Sequence, residues 1–446
     1  MHVFKDFIRV LKNQMTLLGA PISRGHSMDK VLQEKVDDRD RAISRLKYLQ
    51  ADDALARLLY TLRTSDCHDH PLLTRFDIIL REGLSLIINV DFDDAQWLQA
   101  TLLVRNAGIG LRTASTLATS AFLASAAFTE ALQKAILPSS HSNVADEPRN
   151  STADVWTSLS SSGPPETCFQ RIQKAWDGPV IKSLVDRMVL SANSNVDHPR
   201  LKAATAPHSG DWLHAAPMAS VGLKLTDEEM RISVAQRLGV WKSSPHTLIC
   251  GKLADARGLH GLSCRKSTPR HQRHAMLNDI IRWTIKWAHI PAHKEPTGLI
   301  THGGKWPDGA TLIPWSKGKP LAWDVTVPDT YAESHINMTS SEAGAAARQA
   351  ASTKNTKYIY ITSTHIFYPI AIKTAGSWDV QAFEVIEEIG RRVTEATVNP
   401  KETIYIFQKL SMAIQRGNAL SFFNTFDKIT SRNPSESTIF QLSNNF

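Results

Sequence analysis

Four features with chemical potential stand in order along the last third of the chain: Glu295 in HKEPTG, Asp308 in KWPDG, Asp324 in WDVTV, and Lys354 or Lys357 in TKNTKY. Phosphodiester hydrolysis needs a hard divalent cation that polarises the phosphate and lowers the pKa of an attacking water. Mg²⁺ takes one or two carboxylates and fills its shell with water and phosphate oxygens. A lysine can orient the nucleophile or stabilise the negative charge that develops. Two aspartates on adjacent strands, a third acid on a preceding element and a nearby lysine meet those needs. Any one of these acids alone is an ordinary surface carboxylate; the ordered set is what points to chemistry.

A second group lies upstream. Cys250, His260 and Cys264 have a spacing suited to a small structural Zn²⁺ site, which calls for four tetrahedral ligands. Around them the charge is concentrated. From Gln236 to Lys294 eleven Lys and Arg face only Asp255 and Asp279, a local charge of +9 against +8 for the whole chain. Such a segment is either a solvated basic face or a surface that neutralises phosphates, with Arg265, Lys266, Arg270 and Arg273 as its contacts. His271 and His274 read as members of the same basic face rather than as ligands.

The elements that must position these residues follow from periodicity. Leu321, Trp323, Val325 and Val327 alternate with Ala322, Asp324 and Thr326, which predicts a strand with Asp324 turned away from the most apolar face. Tyr358–Thr364 alternates as well and predicts a second strand, led into by an Ala-rich helix over 338–356. Lys357 would then directly precede that strand, which favours it over Lys354 as the working lysine. Val380, Phe383, Ile386, Ile389 and Val393 predict an amphipathic helix. Upstream, Thr226 with Glu229 forms a capping box for a helix over 227–238, and Leu277, Ile280, Ile281 and Ile285 share a face of a helix over about 272–288. Residues 193–225 read as loop. Residues 138–167 are Ser/Pro-rich and read as a linker, followed by a helix over 168–192. The first 135 residues read as mainly helical, with Val31, Leu32 and Val36 at helical spacing in a run from Asp29 to Leu62.

Composition sets the frame. A chain of 446 residues, 42% apolar and 21% charged, is globular in character and too long for one ordinary domain. Four cysteines make no disulfide framework and suit a reducing compartment. The uncharged stretch from Thr113 to Thr129 is short for a bilayer span and rich in Ser, Thr and Ala, so it reads as a buried helix. No membrane association is expected, and the N-terminus lacks the order of a signal peptide.

A set of phrases adds to this reading. CGKLADARGLHGLSCRK, RHQRHAMLNDIIRW, KEPTGL, KWPDGATLIPWSKGKPLAWDVTV, AGAAARQAASTKNTKYIYI and FQKLSMAIQRGNALSF resemble the C-terminal region of non-LTR retrotransposon polyproteins that carry a restriction-like endonuclease of the PD-(D/E)xK superfamily. The resemblance covers roughly residues 210–430. It implies Asp308 and Asp324 as Mg²⁺- or Mn²⁺-binding acids and Glu295 as a supporting acid. Lys354 or Lys357 matches the catalytic lysine, displaced from a strand position that Thr326 holds here. It implies DNA as partner, the retrotransposon's own RNA as a second one, and an intracellular, nuclear setting. Three departures stand out. Trp306 occupies a position where an Arg is expected. Leu248 replaces the first cysteine of a Cys-Cys-His-Cys knuckle, and His246 is then the candidate fourth Zn²⁺ ligand. Further upstream, residues 10–130 resemble the thumb that follows a reverse-transcriptase palm, without the palm. Ala51-Asp52-Asp53 only imitates a polymerase motif, because it sits in a helical run, so no polymerase activity is expected.

The expected architecture is a multidomain α+β or α/β chain. It comprises a helical thumb-like remnant (1–135), a Ser/Pro-rich linker with a helix (136–210), a basic connector with a degenerate zinc knuckle (211–290), and a restriction-endonuclease-like mixed sheet flanked by helices (291–446). The expected function is metal-dependent nicking of DNA; the alternative is a nucleic-acid-binding remnant that no longer cleaves.

Overall fold

The computed structural model describes residues 16–17, 20–21, 25–44, 52–136, 142–192, 194–240, 246–248, 250–264, 266, 268–296, 299, 306–332 and 334–426. The chain forms two units. The first runs to Ser191, except for residues 88–90 and 104–109, which belong to the second with everything from Ala192 onward. The expected linker-plus-helix region of 136–210 is therefore divided between the two units at 191, and the expected basic connector and terminal segment form one body.

Among the described residues, the first unit is helical apart from a short antiparallel pair, β1 (Thr16–Leu17) with β2 (Ala20–Pro21). Its helices are α1 (His26–Ser44), α2 (Asp52–Thr64), α3 (Pro71–Ile88), α4 (Asp94–Thr101), α5 (Ala114–Ile136), α6 (Ser142–Ser160) and α7 (Gln173–Leu190). Apolar residues at helical spacing meet in its core: Met28, Leu32 and Val36 with Leu58 and Leu62, Leu73, Phe76 and Ile79, and Leu117, Ala118 and Ala121. The uncharged stretch from Thr113 is the buried helix α5, as its composition predicts. The buried Asp77 carboxylate holds the start of that helix, accepting from the Ala114 and Ser115 backbone N–H groups at 2.7 and 3.1 Å. Those N–H groups have no partner within the helix, so the carboxylate satisfies them and complements the dipole. Asp52 and Asp53 open α2, consistent with reading them as helical residues. The Ser/Pro-rich stretch departs from its expected linker form. It supplies α6, anchored by Trp156, whose fully buried indole N–H donates to the Trp176 carbonyl at 3.0 Å. One large aromatic outweighs a composition that otherwise favours loop.

The second unit is mixed α and β. It contains α8 (Asp197–Thr205), α9 (Asp227–Leu238), the hairpin β3 (His246–Thr247) and β4 (Leu253–Ala254), α10 (His260–Ser263), α11 (Pro269–Trp287), β5 (Ala292–Lys294), β6 (Gly309–Thr311), β7 (Leu321–Thr326), α12 (Ile336–Ser341), α13 (Ala345–Lys357), β8 (Ile366–Ala371), α14 (Val380–Thr397) and α15 (Glu402–Phe423). The Thr226–Glu229 capping box forms at the start of α9 as predicted. Helix α8 falls in a segment whose composition reads as loop.

Strands β5 to β8 make one sheet in chain order. β5–β6 and β6–β7 are antiparallel, β7–β8 is parallel, and Leu321 to Thr326 pair in register with Ile366 to Ala371. One face carries Leu321, Trp323 and Val325 into a core with Leu277, Ile281 and Ile285 of α11, Val385, Ile386 and Ile389 of α14, and Phe407, Leu410 and Ile414 of α15. The other face is covered too. Ala347 and Ala351 of α13 pack on Ala371 of β8, while Tyr358 and Ile361 pack on Ala310 and Ala322. Alanines let α13 lie close to the sheet, which a row of larger side chains would prevent.

The strand expected over Tyr358–Thr364 is instead a 3₁₀ turn, Ile359–Ser363, and the strand follows at Ile366. Tyr358 and Ile361, three residues apart, share one buried face of that turn, so the spacing that resembled alternation is a period of three.

Candidate active site

Asp308 ends the segment leading into β6, and Asp324 lies on β7. With Gly309 opposite Trp323 and Ala310 opposite Ala322, the antiparallel register brings Asp308 across from Asp324. Gly309 is required here: a Cβ at that position would lie 2.0 Å from the Trp323 indole. The Asp308 carboxylate is fastened by two donors. The Val325 backbone N–H donates to Oδ2 at 2.6 Å, and His274 Nε2 of α11 lies 3.0 Å from the same oxygen. His274 Nε2 also lies 3.0 Å from the Val325 carbonyl. The hydrogen bond to Asp308 raises the His274 pKa, against the opposing effect of burial. Asn278, one turn further along α11, donates to the Asp308 carbonyl at 3.1 Å and accepts from the Trp323 indole at 2.8 Å. A single helix thus sets both the backbone and the carboxylate of Asp308.

Asp324 shares the face of Ala322, as strand parity predicts, yet it is buried because α13 covers that face. Lys354, in the last turn of α13, donates to Asp324 Oδ1 at 2.5 Å. Lys357 Nζ donates to Tyr358 Oη at 2.6 Å and sits 4.2 Å from the centre of that ring. Tyr358 in turn donates to the Trp306 carbonyl at 2.8 Å. Burial raises the Tyr358 pKa, and the neighbouring Asp324 and Asp308 carboxylates raise it further. The lysine on the acid is therefore Lys354, not the Lys357 that the sequence favours. The preference for Lys357 rests on a strand starting at Tyr358, and the turn found there leaves Lys354, one helical turn back, directly over β7.

Glu295 joins this arrangement through its backbone. It adopts a left-handed conformation (φ 46°) at the end of β5, its N–H donates to the Asp308 carbonyl at 3.1 Å, and its side chain is exposed. Among the described residues, Glu295, Asp308 and Asp324 are not a compact group of three ligands, whereas Cys250, His260 and Cys264 are. His274 is the residue that sequence reasoning misses, since it reads there as surface charge. Its helical register with Asn278 and Leu277 is the available signal.

In the Cys250–His260–Cys264 group the donor atoms all lie within 4.8 Å of one another, with Cys250 Sγ 3.5 Å from His260 Nε2. The Lys252 backbone lowers the Cys250 thiol pKa by hydrogen bonding, which favours a thiolate. His246 is not part of this group: its ring stacks on Phe426 at 4.3 Å and its Nε2 lies 3.1 Å from Thr425 Oγ1. Pairing of His246 with Ala254 in the β3–β4 hairpin sets it beside the end of α15 instead.

The basic segment also divides. Arg273 is fully buried, donating to Asn418 Oδ1 at 2.7 Å and to the Leu262 carbonyl at 3.1 Å, and burial pushes its pKa down to about 10. It lies across Gly417, where a Cβ would approach its side chain to 2.5 Å. Its expected role as a nucleic-acid contact is thus replaced by a structural one. Arg237 is likewise buried, donating to the Gly108 and Val104 carbonyls at 2.9 and 2.7 Å. Lys266 and Arg270 are exposed, and Arg265 lies outside the described residues. No described helix is long and apolar enough to cross a membrane.

Comparison with protein-family models gives no match to the chain, and comparison with curated proteins gives no significant relative.

Proposed function

We propose that the second unit is a metal-dependent DNA endonuclease domain of restriction-like type, with the first unit a thumb-like remnant that does not polymerise. The observation that carries this reading is the pairing of Asp308 and Asp324 across β6 and β7, with Lys354 placed on Asp324 from a separate helix. The Asp308 and Asp324 carboxylates are hard oxygen donors, which suits Mg²⁺ or Mn²⁺. A bound ion would supply Lewis acidity and an activated water. The protein's own groups do the rest. Val325 N–H and His274 orient the Asp308 carboxylate, and Lys354 supplies a positive charge for the phosphate or for the nucleophile as it loses its proton. Cys250, His260 and Cys264 fit three ligands of a structural Zn²⁺. Supercoiled plasmid should be nicked by the full chain with Mg²⁺ or Mn²⁺, and Asp308→Ala should be inactive; equal nicking by both would refute the assignment.

A second reading, nucleic-acid binding without cleavage, is favoured by the exposed side chain of Glu295, which leaves the site with two acids. Nicking absent under all metal conditions, with DNA affinity intact, would select it.

A further inference from the structure

Helix α11 presents a second surface, away from the sheet. Leu277, Ile281 and Ile285 face the core, whereas Trp283 and Trp287 remain 51% and 45% exposed. Four residues apart, they are neighbours on the helix. Single exposed aromatics are common, but these two come with cations. The Arg282 guanidinium lies 5.0 Å and Lys286 Nζ 5.4 Å from the Trp283 ring centre, and Lys409 Nζ of α15 lies 4.1 Å from that of Trp287. The acids nearby are Asp279, which Lys294 engages and Arg282 approaches at 3.8 Å, and Glu402, which acts on Lys409.

Aromatic faces in a cationic setting are what single-stranded nucleic acid requires. Bases stack on the rings, and lysines or arginines take the phosphates. Protein interfaces, by contrast, are depleted of lysine at their centres. We propose that Trp283, Trp287, Arg282, Lys286 and Lys409 form a stacking platform for single-stranded nucleic acid, on the face of α11 opposite His274 and Asn278. A strand held there would be separate from the acids at Asp308 and Asp324. The inference rests on the nucleic-acid reading of the chain but does not depend on cleavage.

The test measures binding of the full chain to a fluorescein-labelled oligo(dT) strand and to a duplex of equal length. Trp283→Ala/Trp287→Ala should weaken oligo(dT) binding about tenfold or more, while duplex affinity and metal-dependent nicking stay near parental values. Trp283→Phe/Trp287→Phe should retain most of the affinity. Lys286→Glu/Lys409→Glu, which leaves both indoles in place, should lower it with a smaller salt dependence. Parental oligo(dT) affinity in both the alanine and the charge-reversed variants would overturn the platform. So would equal loss on strand and duplex, or a parent chain that binds duplex but not oligo(dT). A parent chain that binds neither would overturn the broader nucleic-acid reading with it. A parental dimer that the alanine variant dissociates, with oligo(dT) affinity unchanged, would make this face a contact between copies and contradict the proposal.

Discussion

At the residue scale, the two lysines of TKNTKY separate by geometry. Lys354 neutralises a buried carboxylate; its own side chain is 24% exposed against 4% for Asp324. Removing one partner of a buried pair costs about 3–5 kcal/mol, and partial exposure of the lysine places this case toward the lower end. Lys354→Ala should therefore abolish nicking and lower the melting temperature, whereas Lys357→Ala should keep most of the activity. Calorimetry beside the nicking assay reads both; full activity in Lys354→Ala would remove that lysine from the chemistry. His274→Ala should lower activity or metal affinity roughly ten- to hundredfold, the usual cost of losing a group that orients a metal-binding side chain. Asp308 and Asp324 stand out in the sequence through motif order, and strand parity places Asp324 opposite the face of Leu321, Trp323 and Val325. His274 is not, because a histidine in a basic run gives no sign of the face it occupies until helix and sheet are packed.

At the scale of elements, α9, α11, α14 and β7 are readable from period and capping, and α13 from its alanine content. Others are not, among them α6, α8 and β8; α6 depends on a buried indole, and β8 on a parallel neighbour distant in sequence. One such contact positions the site. Beyond β8, the fully buried Lys373 donates to the Ala343 carbonyl at 2.8 Å, as Ser377 does at 3.0 Å, tying the exit from the sheet to the start of α13. Burial pushes the Lys373 pKa down to about 8 from 10.5. Between those values the unfolded chain keeps a proton that the folded chain has shed, so this residue makes stability rise with pH across that window. Denaturant unfolding of the parent chain and of Lys373→Met from pH 8 to 10.5 should show a rise on the order of 1–3 kcal/mol that only the parent has. Parallel pH profiles would mean that Lys373 does not titrate in the fold.

At the scale of the whole molecule, net charge is a poor guide to contacts. The +9 segment contains Arg237 and Arg273, which hold loops and helices together inside the second unit, so composition overstates the charge available at the surface. Charge reversal at Lys266 and Arg270 should weaken duplex binding and reduce the salt slope by about one for each phosphate no longer neutralised. Arg273→Glu should instead unfold the domain, because it buries an unpaired carboxylate against Asn418 and Leu262. Circular dichroism separates the two outcomes, and a folded Arg273→Glu chain with weakened DNA binding would restore it as a contact.

Everything proposed for the site turns on Asp308 and Asp324 together holding the divalent cation. The most direct test is Mn²⁺ binding followed by electron paramagnetic resonance, on the parent chain and on Asp308→Ala and Asp324→Ala, with nicking measured on the same samples. Each substitution should remove a bound Mn²⁺ and the nicking activity together. Mn²⁺ retained with unchanged affinity in both variants, or Mn²⁺-dependent nicking that survives either one, would contradict the shared site.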